Sequence, residues 1–280
     1  MKAYTIGVYE KAIPESLSWS EKMMEAKKAG YDFIEISIDE TDEKLERLNM
    51  SKKERQDLVN LMFEKEMPVR TMCLSGHRRF PLGSENSDIR NRGIEIMEKA
   101  LQLAEDLGIR MIQLAGYDVY YEEGNEKTRK LFLDNLRKSV DMAAAKGILM
   151  GFETMETEFM NTVEKSMRYV NEIESAYLNV YPDLGNITNA AVCEKKDVLA
   201  DLESGKGKLI AMHLKETVPG KFREIPFGEG HVDFESGVKK AWDMGIRCYV
   251  TEFWYTGNPE WKNDLKFAVD KMTKILDCQG

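Results

Sequence analysis

Four residues able to hold one metal ion, Glu153, Asp183, His213 and Glu252, recur at intervals of 30, 30 and 39 residues in the second half of the chain. Each lies at or near the C-terminal end of a short apolar run: ILMGFE, LNVYPD, LIAMHLKE and CYVTEF. Three carboxylates and one imidazole brought to one point make a site for a single divalent ion. That donor set suits Zn, Mn, Co or Mg, with Zn and Mn the leading candidates, and does not suit a thiolate-loving ion. Two of the carboxylates, Glu153 and Glu252, come from non-adjacent apolar runs. They can face opposite sides of a bound molecule, an arrangement that suits moving a proton next to a carbonyl. Taken singly, each residue also has a plainer reading. Asp183, between Pro182 and Leu184-Gly185, fits a turn or helix cap, His213 a core histidine, and the two glutamates internal ion pairs with Arg or Lys.

The elements that must position these residues follow from the spacing. A strand, a helix and their loops take roughly 30 residues, so the intervals predict one ligand per βα unit on consecutive parallel strands. Eight apolar runs, at 4–9, 31–38, 69–75, 109–115, 148–154, 178–182, 209–214 and 248–254, alternate with segments of helical spacing such as 90–107 and 126–146. Glycines at 30, 108, 147 and 245 punctuate helix-to-strand turns. Eight units in 280 residues, with no linker, predict an α/β fold: a single (β/α)8 TIM barrel, one domain over 1–280, with the site at the C-terminal ends of its strands. Three long loops belong at that end: 75–88, 116–125 and 216–232.

A second constellation, Ser75-Gly76-His77-Arg78-Arg79, follows the third run. Ser75, His77 and Arg78 are candidates for a phosphate or sugar, since a guanidinium binds phosphate oxygens in bidentate fashion. The alternative for Arg79 is a bridge to Glu85 or Asp88. Lys11 and Lys215 are further candidates for an anionic substrate, and Lys221 and Arg223 lie in the longest loop, placed to close over a ligand. An inward Glu35 can bind a sugar hydroxyl or support a neighbouring group. Tyr117, Tyr120 and Tyr121 either wall the site or pack.

Bulk properties narrow the partners. A net charge of −9 weighs against nucleic acid and an anionic membrane surface. No apolar run approaches the ~20 residues of a membrane span, and the N-terminal MKAYTIGVYEKA has no signal-peptide core. Cys73, Cys193, Cys248 and Cys278 form no C-x-x-C pair, and Cys73 and Cys248 read as reduced, buried thiols. Together these features predict a cytoplasmic protein.

The stretches GVYEKA (7–12), FIEISIDETDE (33–43), MCLSGHRRFPLGSE (72–85), IQLAGYDVYY (112–121), YPDLGN (181–186), HLKET (213–217) and PFGEG (226–230) resemble the L-ribulose-5-phosphate 3-epimerase (L-xylulose-5-phosphate 3-epimerase) family of bacterial ascorbate and pentose catabolism. That family lies within the xylose-isomerase-like barrel superfamily, and the resemblance runs along essentially the whole chain. It implies a TIM barrel, one divalent metal on Glu153, Asp183, His213 and Glu252, and reversible C3 epimerisation of a ketopentose 5-phosphate. One glutamate would take the C3 proton from one face and the other return it on the opposite face. It also implies a homo-oligomer, a dimer being favoured. Related free-ketose epimerases usually carry a substrate-contacting His where this chain has Asn186, so Asn186 fits the phosphate-sugar branch. Three rivals remain: an aldose–ketose isomerase on the same site, a sugar-binding protein without catalysis, and a DNA-repair endonuclease of the superfamily. The acidic charge and the presence of only His77, His213 and His231 oppose the last.

Overall fold

The computed structural model describes residues 2–280. Eight parallel strands are present: β1 (Thr5–Tyr9), β2 (Phe33–Ile38), β3 (Val69–Leu74), β4 (Met111–Ala115), β5 (Leu149–Glu153), β6 (Leu178–Val180), β7 (Met212–Leu214) and β8 (Cys248–Thr251). Their order is β6-β5-β4-β3-β2-β1-β8-β7. The ring closes between β6 and β7 through isolated bridges only, Val180 to Leu209 and Asp183 to His213. Pro182 sits in that seam. It has no N–H to offer a ladder, and its carbonyl accepts from His213 N at 2.9 Å. The structure is thus the α/β TIM barrel that the spacing predicts.

The helices form because their apolar residues recur at helical spacing and their ends are capped. The helix Ser87–Leu107 buries Ile96, Met97, Ala100, Leu101, Ala104 and Leu107 on one face. Asn86 caps its start and Gly108, at φ 77°, its end. The predicted 126–146 helix is present as Glu126–Lys146, capped by Asn125. Among the described residues no helix is long and apolar enough to cross a membrane.

Strand alternation divides the core in two. Outward residues such as Ile34, Ile36, Met72, Leu114 and Phe152 pack against the helices. Inward ones, Tyr9, Phe33, Cys73, Tyr181, Ala211 and Val250, fill the lumen. Gly7 is required there, because a Cβ on it would stand 2.3 Å from the Phe33 ring. Lumen packing of this kind makes a firm floor for whatever stands at the strand ends.

The start of the first βα loop is anchored by Glu10, which is 1% exposed. Its carboxylate accepts from Ser37 N at 2.9 Å, Lys44 Nζ at 3.0 Å and Arg47 Nη1 at 2.6 Å. Burial works against its charge, but Arg47, Lys44 and Lys22 outweigh it and lower its pKa. This cluster fixes the backbone from which Lys11 projects.

Candidate active site and metal centre

Strand ends deliver the four spaced residues to one point. Glu153 is the last residue of β5, His213 lies within β7, Glu252 follows β8, and Asp183 caps the helix Leu184–Glu194 after β6. All four are buried, and one ligand atom from each lies within 4.8 Å of the others. Asp183 serves twice. Its Oδ1 accepts from Asn186 N at 2.6 Å, as a helix cap does. Its Oδ2 is buried with no hydrogen bond of good geometry, although Lys215 Nζ is 3.2 Å away. A buried carboxylate oxygen left over beside two more carboxylates and an imidazole is what a cation site requires, so these residues fit a divalent ion.

His213 stands between two carboxylates: Nδ1 is 3.0 Å from Glu252 Oε2 and Nε2 is 2.5 Å from Glu35 Oε1. Burial disfavours its charged form, but Glu35 and Glu252 outweigh burial and raise its pKa well above the usual imidazole value. Lys215, 3% exposed, reaches both Asp183 Oδ2 and Glu252 Oε2, the latter at 3.3 Å. The two glutamates are driven apart. Burial and then the Glu252 charge raise Glu153 to about 8. At Glu252 burial is overcome by Lys215 and His213, and its pKa falls well below the usual carboxylate range. Asp183 rises to about 7, through burial partly countered by Lys215.

Above the centre lies a cavity of about 100 Å³, bordered by Ser75, Arg78, Asn186, Lys215 and both glutamates, with Lys11 at its edge. Asn186 Nδ2 donates to the Thr154 carbonyl at 2.7 Å, while its Oδ1 is buried and unpartnered. Arg78 donates to Tyr117 OH at 3.0 Å and lies 3.8 Å from Glu156. Glu156 also accepts from Tyr120 OH at 3.0 Å and Arg223 at 3.1 Å. Lys215 and Arg223 both lie over the Trp254 ring, 5.9 Å from its centroid.

Several candidates sit elsewhere. His77 is turned away from the cavity, its Nε2 3.0 Å from the Gly93 carbonyl, and burial lowers its pKa to about 4. It is a neutral packing residue of the short turn Gly76–Arg78, not an anion contact. Glu35 is wholly buried and faces His213 rather than the cavity. Arg79 pairs with Asp42 at 2.7 Å instead of Glu85 or Asp88. Lys11 reaches the cavity while paired with Asp39. Of the tyrosines, Tyr117 is buried against Arg78, whereas Tyr121 is exposed and donates to Glu40. All four cysteines are free; Cys73 is buried at the cavity floor, while Cys248 is only half-buried.

Sequence reasoning missed Glu156, Trp254, Tyr9 and Glu216. Tyr9 was discoverable: it shares the inward face of β1 with Gly7. Glu156 carries no signal, being one of several acids in a loop. Glu216 organises the loop 216–232. Its carboxylate accepts from Gly228 N at 2.9 Å and Val232 N at 3.2 Å, and a Cβ on Gly230 would stand 2.2 Å from its Oε1.

Comparison with known proteins agrees with this fold. Residues 24–271 match the family described as xylose isomerase-like TIM barrel. L-ribulose-5-phosphate 3-epimerase UlaE of Escherichia coli (strain SMS-3-5 / SECEC) is 45% identical over 255 residues, 90% of this chain and 88% of that protein. The protein of the same name from Shigella sonnei (strain Ss046) matches to the same extent. A solved D-psicose 3-epimerase shares the fold with a TM-score of 0.81 at 16% identity, over 99% of this chain and 100% of that one. An L-ribulose 3-epimerase does so with a TM-score of 0.78 at 18% identity, over 99% and 95%.

Proposed function

This chain belongs to the L-ribulose-5-phosphate 3-epimerase family of xylose isomerase-like TIM barrels and is an isomerase of the sugar 3-epimerase class, and on that premise we propose that it epimerises a ketopentose 5-phosphate at C3. The substrate pair is L-xylulose 5-phosphate and L-ribulose 5-phosphate, the setting is pentose and L-ascorbate catabolism in the cytoplasm, and the working unit is a homodimer of barrel domains spanning 1–280. The observation that carries the reading is the pair Glu153 and Glu252, whose carboxyl groups come from different strands and meet at one buried centre with Asp183 and His213.

Glu153, Asp183, His213 and Glu252 would hold one divalent ion, Zn or Mn by donor set. When bound, such an ion polarises the substrate carbonyl and so acidifies the neighbouring C–H. One glutamate removes the C3 proton from one face, and the other delivers a proton to the opposite face. Running the reaction backward exchanges their roles. Lys215, its ammonium fixed by Asp183 and Glu252, stabilises negative charge developing on the substrate oxygens. Asn186 Oδ1 accepts from a sugar hydroxyl. Ser75, Arg78 and Lys11, along one edge of the cavity, take the 5-phosphate.

A volume of about 100 Å³ is well below the roughly 300 Å³ at the lower end for ligand pockets. Parting the contacts of Glu156 with Arg78 and Arg223, which border the same cavity, would enlarge it for a sugar phosphate.

The deciding experiment incubates metal-loaded protein with L-ribulose 5-phosphate in heavy water and follows each carbon by NMR. L-xylulose 5-phosphate labelled at C3 is the expected product. Label at C1 with an aldose product would make the protein a 1,2-isomerase. Faster turnover of unphosphorylated L-ribulose would make it a free-ketose epimerase.

A further inference from the structure

We propose that Glu35 is the positioning residue of the metal centre: it holds the His213 imidazole in the tautomer with its proton on Nε2, so that Nδ1 faces the ion. The inference rests on the reading that Glu153, Asp183, His213 and Glu252 hold a divalent ion.

Glu35 lies on β2, wholly buried in the lumen. A carboxylate there must be satisfied on both oxygens. Oε1 is 2.5 Å from His213 Nε2. Oε2 accepts from Thr71 Oγ1 at 2.7 Å and from Tyr181 OH at 3.0 Å. All its partners are protein groups, on β3, β7 and the residue following β6, and it does not border the cavity. Both oxygens are engaged away from the substrate.

The opposite edge of the imidazole faces the ligand cluster. Nδ1 is 3.0 Å from Glu252 Oε2 and 3.9 Å from Asp183 Oδ2. A neutral imidazole has one donor and one acceptor nitrogen. Of the two carboxyl groups flanking the ring, Glu252 belongs to the ligand cluster and Glu35 does not, so with an ion present the proton stays on Nε2, facing Glu35 Oε1, and the Nδ1 lone pair is free for the ion. The hydrogen bonds from Thr71 and Tyr181 to Oε2 hold the Glu35 carboxyl group in place and prevent it from turning. Tyr181 also bounds the imidazole edge-on, with ring centroids 5.1 Å apart, which restricts a ring flip.

The test loads the protein, labelled at histidine nitrogen, with spin-active cadmium as a divalent probe. The expected spectrum has cadmium coupled to Nδ1 of His213 and a proton retained on Nε2. Coupling through Nε2 would overturn the inference while leaving the metal reading intact. Absence of cadmium, zinc and manganese binding by calorimetry would remove both. In parallel, Glu35→Gln should weaken zinc or manganese affinity, measured against a chelator, by about 10- to 100-fold. Thr71→Val, which removes one donor to Glu35, should weaken it less. Affinity within twofold of the parent in a folded Glu35→Gln protein would overturn the role. The spectroscopic arm uses the unaltered chain, so a folding defect in a variant leaves the test standing.

Discussion

Thr154 sets the direction of the Asn186 amide: its carbonyl takes the Nδ2 hydrogen at 2.7 Å, which leaves Oδ1 as a buried acceptor at the edge of the cavity. A substrate hydroxyl would satisfy it. Asn186→Ala should cost about 1 to 3 kcal/mol of transition-state stabilisation, roughly 5- to 150-fold in kcat/KM. Asn186→Asp should do worse, since its second oxygen would meet the Thr154 carbonyl without a proton between them. Steady-state kinetics on the sugar phosphate decide this, and an Ala variant within twofold of the parent would remove Asn186 from substrate binding.

Glu153→Gln and Glu252→Gln should each lower the epimerisation rate by 10² to 10⁴, about the worth of general acid–base catalysis. Deuterium wash-in at C3 gives a second readout. Loss of the acid alone can leave exchange with solvent faster than product formation, whereas loss of the base abolishes both. The proton-transfer scheme is falsified if either variant epimerises at near the parent rate.

Protons and a divalent ion would compete for this site. Glu153 and Asp183 have pKa values raised to about 8 and about 7, and His213 is raised as well. A raised folded-state pKa stabilises the fold below the unfolded value, and that contribution is lost as pH climbs through the folded one. All three act in the same direction between pH 6 and 8, so chelated protein should have a lower melting temperature at pH 8 than at pH 6. Metal affinity should move the opposite way, rising across that interval as bound protons leave. Calorimetric titrations at pH 6, 7 and 8 check it, and a flat affinity would contradict the proton competition.

Gly230→Ala would drive a methyl group into the Glu216 carboxylate and the Thr217 carbonyl, both 2.2 Å from the ideal Cβ position. The loop 216–232 would have to move, and with it Phe222 and Arg223, which border the cavity. We expect KM to rise several-fold with a smaller change in kcat, and a loss of about 1 to 3 kcal/mol in stability by denaturant unfolding. An unchanged KM would show that the loop's conformation is immaterial to binding.

Much of this molecule is legible in its residues. All eight strands begin within three residues of the apolar runs that predict them, because parallel barrel strands buried on both faces leave uninterrupted apolar stretches. Several strands are shorter than their runs, and the seventh run, 209–214, is halved to Met212–Leu214 with an isolated bridge at Leu209. Pro182, two residues past β6, has no N–H to continue the ladder there. The four spaced ligand candidates are legible because each repeats one position of the βα unit. The placement of His77, Glu35 and Arg79 is not, since each depends on which way one side chain turns at a strand end or in a loop. His77 points to a helix carbonyl, Glu35 reaches across the lumen, and Arg79 finds Asp42 at the start of a short helix. Glu156 was invisible for the same reason: its contacts come from three separate loops.

The seam between β6 and β7 would give a bound ion a mechanical meaning. The barrel is a hoop with one weak joint, and the last bridge across that joint is the pair Asp183 and His213. An ion grasped by both buckles the hoop where its own backbone fastens it least. Stripping the ion would then be felt as a loosening of 178–183 and 209–214, visible as faster amide exchange there than in the unbroken ladders on the far side.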